Sequence, residues 1–160
     1  MNLQVDIQTA CSEPVPEEED IRRWIEAALS PHRDEAEVSV RLVGETEMTE
    51  LNTSYRQQHK STNVLSFPTD LPNDVSHPLL GDIIVCAAVV AREATEQNKP
   101  AMAHWTHMLV HGSLHLIGYD HVESEDAQVM ESLETTILQS LGCPCPYHSN
   151  STLGDIRSME

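Results

Sequence analysis

Apolar and polar residues alternate at Leu3, Val5 and Ile7, the period of a half-buried strand over residues 3–8. An acidic stretch with two prolines, residues 14–20, leads into Ile21, Trp24, Ile25, Ala28 and Leu29, which recur at helical spacing until Pro31 stops them. Val38, Val40 and Leu42 return to the strand period. Met48, Leu51 and Tyr55 then mark one face of a short helix, with Thr46 or Thr49 as its cap. Residues 64–67 form a third strand ended by Pro68, and residues 70–78 a proline-containing loop. Residues 83–85 make a compact buried strand, and 87–97 turn helical. A helix over 101–117 ends at Gly118. A last helix, capped by Ser124 with Val129, Leu133, Ile137 and Leu141 along one stripe, ends at Gly142. Both glycines stand where a left-handed residue closes a helix. The order β-α-β-α-β-β-α-α-α predicts an α+β fold: a single domain with about four strands in one mixed sheet and five or so helices on it. Residues 1–147 make that domain, and 148–160, which have no period, a flexible C-terminal tail.

Composition narrows the class. A chain of 160 residues, 39% apolar and 22% charged, is long enough to bury a core without disulfides or a structural metal. Its longest wholly apolar run, residues 83–91, falls far short of the roughly 20 residues that cross a bilayer. The first residues lack the basic-then-apolar order of a secretory signal. Cys11, Cys86, Cys143 and Cys145 are scattered, which fits a reducing cytoplasm rather than a disulfide framework. The C-x-C pair near His148 lacks zinc spacing and reads as incidental. These features argue against a membrane or secreted protein.

Net charge is −17, with 26 acidic residues against nine Lys and Arg, which disfavours a broad basic surface for coating nucleic acid, and no DNA partner is expected. Yet no acid lies between Glu50 and Asp70 or between Glu96 and Asp120. Local potential decides what a cleft holds, and these two gaps are where an anionic ligand would be tolerated.

The second gap contains a histidine constellation. Five of the nine histidines, His104, His107, His111, His115 and His121, fall in the segment HWTHMLVHGSLHLIGYDH. His111 and His115 stand four apart on the expected helix, so their rings emerge on one face and can share an ion. Gly118 breaks the helix, and His121, ten positions after His111, can return as a third nitrogen ligand. Three protein ligands with an open fourth position characterise a catalytic zinc; nickel and copper also accept such ligands. His104 and His107 lie on nearly the same face and either line the cleft, pack, or serve as alternative ligands. The spacing also matches the metzincin protease pattern. There the residue after the first histidine is a glutamate base; here it is Gly112, which argues against a peptidase.

The segment HGSLHLIGYDH, residues 111–121, resembles the signature H-G-x-L-H-L-x-G-Y-D-H of the bacterial YbeY family of metal-dependent endoribonucleases. LNTSYRQQHKSTNVLSFP, residues 51–68, is similar to a second block of that family, L-N-x-x-Y-R-x-x-x-K-x-T-N-V-L-S-F-P. LGDIIVC and the Pro146–Tyr147 pair resemble two more. The family commonly has Y-R-G-K-D-K-P-T-N in the second block; Gln57, Gln58, His59 and Ser61 here replace one lysine and the turn-forming glycine and proline. The resemblance implies an α+β metalloprotein that cleaves single-stranded RNA. It also implies maturation of ribosomal RNA, notably the 16S 3′ end, and a part in ribosome quality control. It assigns the metal ligands to His111, His115 and His121, where three imidazoles suit one zinc per chain, and an important arginine to Arg56. The partners it implies are precursor ribosomal RNA and the ribosome or its assembly factors.

The chemistry of these residues fits. A three-histidine zinc gives hydroxide near neutral pH and polarises a phosphoryl oxygen. Arg56 offers a planar, permanently charged fork for phosphate oxygens, and with His111 it is a candidate catalytic residue. Lys60 could steer the RNA backbone. Asp120 and Asp82 are candidates for orienting a ligand imidazole. The general base stays open between water and the substrate's own 2′-hydroxyl. Two alternatives compete: a metallohydrolase of a small molecule or peptide, and a non-catalytic ribosome-assembly protein with a structural metal.

Overall fold

A computed structural model of the chain describes residues 1–56, 62–69, 79–119 and 124–142, apart from the side chains of residues 55, 56, 124 and 126. Along it run β1 (Asn2–Ala10), α1 (Glu18–Leu29), β2 (Glu35–Val43), α2 (Glu45–Arg56), β3 (Val64–Pro68), β4 (Leu79–Cys86), α3 (Ala87–Glu96), α4 (Ala101–Leu116) and α5 (Ser124–Ser140). The strands form one mixed sheet of order β1-β2-β4-β3, in which β1, β2 and β4 are parallel and β3 is antiparallel to β4. The expected α+β class, element order and mixed sheet all hold. The loop at 70–78, the boundary at 147 and the tail lie outside the described residues.

Strand pattern follows position in the sheet. β4 is flanked by β2 and β3, and its Leu80, Ile83, Ile84, Val85 and Cys86 are all buried, as a strand covered on both faces requires. On one face Leu3, Val38, Val40, Leu42, Ile83 and Val85 meet Ile21, Trp24 and Ile25 of α1 and Trp105, Met108 and Leu109 of α4. On the other, Ile84 and Cys86 pack with Leu65, Met48 of α2 and Val89 of α3.

Two local expectations change. α2 begins at Glu45, so Thr46 and Thr49 lie inside it; the Gly44 carbonyl accepts the Met48 N–H at 3.1 Å, and Glu45 and Glu47 complement the positive end of the helix. In α5 the buried stripe is Met130, Glu134, Ile137 and Leu138, while Val129 is 51% exposed. The stripe is rotated because α5 must cover Val110 and Leu114 of α4 and Ala28 of α1 together.

α4 is the central element, with 11 of its 16 residues buried between the sheet, α1 and α5. Its close approach to the sheet depends on Gly112. A Cβ there would lie 3.0 Å from Ile83 Cγ2, 3.2 Å from Ser66 Oγ and 3.4 Å from Val64 Cγ2. The Ser66 hydroxyl donates to the Gly112 carbonyl at 3.0 Å, tying β3 to the helix. α4 stops as expected at Gly118, whose φ of 105° suits glycine. The N–H groups of Gly118 and Tyr119 reach back to the carbonyls of His115 and Leu114, a complete Schellman closure.

A second tie to α4 is polar. His104 is fully buried, and its Nε2 lies 2.8 Å from Glu93 Oε1 of α3. The Asn63 amide donates to the same oxygen at 3.0 Å, and the Asn63 carbonyl accepts the Cys86 N–H at 2.9 Å. Burial pushes the His104 pKa down, against the opposing pull of Glu93. Burial pushes the Glu93 carboxyl up, but hydrogen bonds from His104 and Asn63 outweigh it and hold the group below its ordinary value. The folded protein therefore keeps His104 neutral and Glu93 ionised, with the imidazole N–H donating to the carboxylate.

Two predictions follow from this packing. Gly112→Val should destabilise the protein by about 1–3 kcal/mol in urea unfolding, because the branched side chain overpacks against Ile83 and Val64. An unchanged midpoint would mean that α4 moves off the sheet freely. Because both folded-state pKa values are depressed, the unfolded chain takes up protons first on acidification. The contribution is thus complete above the ordinary histidine value of 6.5 and is lost as pH falls below it, then further below 4.5. His104→Gln, which keeps an N–H for Glu93 but cannot titrate, should flatten the fall in stability below pH 6.5 by up to about 1.4 kcal/mol per pH unit. Identical slopes would contradict the assignment.

Candidate metal centre

Spacings of three, four and four place His104, His107, His111 and His115 on one stripe of α4. Neighbouring ring centroids lie 6.2, 6.1 and 4.6 Å apart. The stripe rises from the core toward solvent: the His104 side chain is 0% exposed, His107 2% and His111 12%. Four imidazoles lie along one side of a buried helix, and each must find a polar partner there.

The flanking helices supply carboxylates. Glu93 serves His104. Glu134, wholly buried on α5, serves the next two: its Oε1 lies 2.9 Å from His107 Nε2 and its Oε2 2.6 Å from His111 Nδ1. Burial pushes the Glu134 carboxyl up, but hydrogen bonds from His107 and His111 outweigh it and hold the group far below the usual carboxylate range. Burial pushes His107 down to about 4 against the pull of Glu134, so its ring is neutral near pH 7. An ionised carboxylate only accepts. Both facing ring atoms are therefore N–H donors, Nε2–H of His107 and Nδ1–H of His111.

In its neutral form His111 then has its lone pair on Nε2, on the far side of the ring from Glu134. That atom lies 3.1 Å from Nε2 of His115. Two nitrogens on one tetrahedral zinc, each at about 2.0–2.1 Å, would stand about 3.3 Å apart. The donor chemistry and separation suit one shared ion. His107, His111 and Glu134 form a further possible donor set, with ligand atoms all within 4.8 Å of one another.

Of the residues singled out in the sequence, His111 and His115 are thus brought together. His104 and His107 pack and hydrogen-bond to carboxylates. Asp82 is exposed on β4, on the face opposite the one that Ile83 turns to α4, away from the histidine stripe of α4. His121, Asp120, Lys60 and the Arg56 side chain lie outside the described residues, as do Cys143 and Cys145. Gly112 faces the sheet at tight clearance, so a glutamate in its place, as in the metzincin pattern, would crowd Ile83, Ser66 and Val64.

Glu134 was not apparent from the sequence. It sits among Glu125, Glu131 and other polar residues of α5 and resembles a solvated acid. The available signal was its register: Met130, Glu134, Ile137 and Leu138 follow helical i, i+4, i+7, i+8 spacing, which puts one carboxylate in the middle of an apolar stripe.

Comparison with known proteins identifies the family. The family model described as Endoribonuclease YbeY matches residues 6–142. A protein named Endoribonuclease YbeY from Cellvibrio japonicus (strain Ueda107) is 54% identical over 150 residues, covering 92% of this chain and 85% of its own. The solution structure of TM1509 from Thermotoga maritima superposes with a TM-score of 0.63 at 29% identity, over 86% of this chain and 89% of that one. With a family match that spans nearly all the described elements and a close relative of the same name, this chain belongs to the YbeY endoribonuclease family.

Proposed function

We propose that the protein is a cytoplasmic, metal-dependent endoribonuclease that cuts single-stranded precursor ribosomal RNA, notably at the 16S 3′ end, and takes part in ribosome quality control. Its catalytic domain is residues 1–147, and 148–160 are a tail. It holds one zinc through His111, His115 and His121. The observation that carries this reading is the 3.1 Å approach of the His111 and His115 Nε2 atoms at the solvent end of a buried histidine stripe, in a chain of the YbeY family. No helix among the described residues is long and apolar enough to cross a membrane.

A zinc ion on three imidazoles supplies an activated water near neutral pH and a Lewis acid for the phosphoryl group. The protein's residues do the rest. His111 and His115 present ring nitrogens from a helix packed against the sheet, α1 and α5, which holds their spacing. Arg56, last residue of α2, clamps the phosphate and neutralises the charge that builds on it. Lys60 steers the RNA backbone from the acid-free stretch between Glu50 and Asp70. With few aromatic residues to stack bases and a net charge of −17, the chain binds short naked RNA weakly. Selectivity comes from the ribosome or an assembly factor.

The deciding experiment is cleavage of a 16S 3′-end precursor, with metal content measured on the same preparations. His115→Ala should lose both zinc and cleavage while keeping its circular dichroism spectrum. Arg56→Ala should keep zinc and lose about 10²–10³-fold in rate, the usual loss for one transition-state charge partner. A chelator should abolish activity and added zinc restore it. Cleavage that survives in His115→Ala purified in the same way would assign the activity to a contaminant or another site.

A further inference from the structure

We infer that Glu134 is a positioning residue for the metal centre: bridging His107 and His111, it holds His111 as the Nδ1–H tautomer with its Nε2 lone pair aimed at the ion. The inference deepens the function proposed above and rests on His111 being a ligand. A neutral imidazole has one N–H and one lone pair, and they must occupy different nitrogens. Unconstrained, His111 would populate both tautomers, and the Nε2–H form cannot bind an ion at that atom. Glu134 removes the choice, because its Oε2 lies 2.6 Å from Nδ1 and an ionised carboxylate accepts only an N–H.

His107 completes the device. Its Nε2 holds the other oxygen, Oε1, at 2.9 Å, so the carboxylate is fixed from two points along α4 and cannot swing toward the ion. Glu134 is 0% exposed and His107 2%, which shields both hydrogen bonds from competing water. The same burial argues against the rival arrangement, an ion seated between His107, His111 and Glu134. Its donor atoms already face one another as hydrogen-bond partners, and two of its three residues, His107 and Glu134, are closed off from solvent. Carboxylate partners of ligating histidines are a general device for fixing ring orientation and raising ligand basicity.

The test uses the full chain, with zinc affinity read by chelator competition and imidazole tautomers by long-range proton–nitrogen NMR. Glu134→Gln offers one oxygen and one NH2, so one of the two rings must change tautomer to accept from the NH2, and His111 is no longer held in the Nδ1–H form by a carboxylate that only accepts. The variant's zinc affinity should fall about 10–100-fold. The cobalt(II)-substituted variant should keep the wild-type visible spectrum, because the ligands themselves are unchanged. His107→Gln, which preserves an N–H for Oε1, should bind zinc close to wild type. In the wild-type chain after zinc removal, His111 should be protonated at Nδ1. That measurement decides the matter even where Glu134→Gln does not fold, and an Nε2-protonated His111 would overturn the inference. A changed cobalt spectrum in Glu134→Gln together with a large loss in His107→Gln would overturn it in favour of the buried donor set. Unaltered zinc affinity in Glu134→Gln would reduce Glu134 to a packing role. His111→Ala separates the two proposals: if that variant keeps its zinc, the metal-site assignment itself fails, whereas lost zinc there with unchanged affinity in Glu134→Gln condemns only the positioning role.

Discussion

A polar stripe inside an apolar core needs polar partners for its imidazoles, and two carboxylates, Glu134 wholly buried and Glu93 partly so, supply one to each of His104, His107 and His111. Glu93 reaches α4 from α3, and Glu134 reaches it from α5. Each contact also fixes where its helix sits, so the packing of α3 and α5 on α4 is polar as well as apolar. Without those carboxylates a helix with four histidines would either expose that face or leave donors unmatched in the interior, and both alternatives cost stability. The apolar contacts of α4 with the sheet and with α1 then decide how the stripe is aimed, with its His104 end sealed and its His111 end near solvent.

Much of this was legible in the chain. Alternation at Val38, Val40 and Leu42 and helical recurrence at Ile21, Trp24, Ile25, Ala28 and Leu29 are strong periodic signals, and the structure buries those residues. Gly118 marked the end of α4 because a positive φ is a backbone demand that few other residues meet. The pairing of His111 with His115 follows from helix geometry alone.

What stayed hidden depended on contacts remote in sequence. Glu134 lies 23 residues from His111, and although its register places it in an apolar stripe, the histidines it serves become visible only when α5 is laid against α4. The same docking rotated the α5 stripe away from Val129. Thr46 and Thr49 were plausible caps by residue type, yet α2 starts before both, at Glu45, where the acids themselves favour the helix end. Gly112 was legible as a departure from a protease pattern, but its steric reason, the 3.0 Å clearance from Ile83, needed the sheet.

The order β1-β2-β4-β3 leaves β1 and β3 at the margins of the sheet, and margins of this kind invite strand addition by another copy. β1 is nine residues long, which makes it the more vulnerable of the two. Asp6 sits at its middle, exposed, between the polar side chains of Gln4 and Gln8. A second β1 laid antiparallel about that centre would bring two Asp6 carboxylates face to face, a repulsive pair. β3 is five residues long and ends in Pro68, which has no N–H to offer a partner strand. Together with a net charge of −17, these features discourage sheet-to-sheet self-association and protect the fold from aggregation through its open edges.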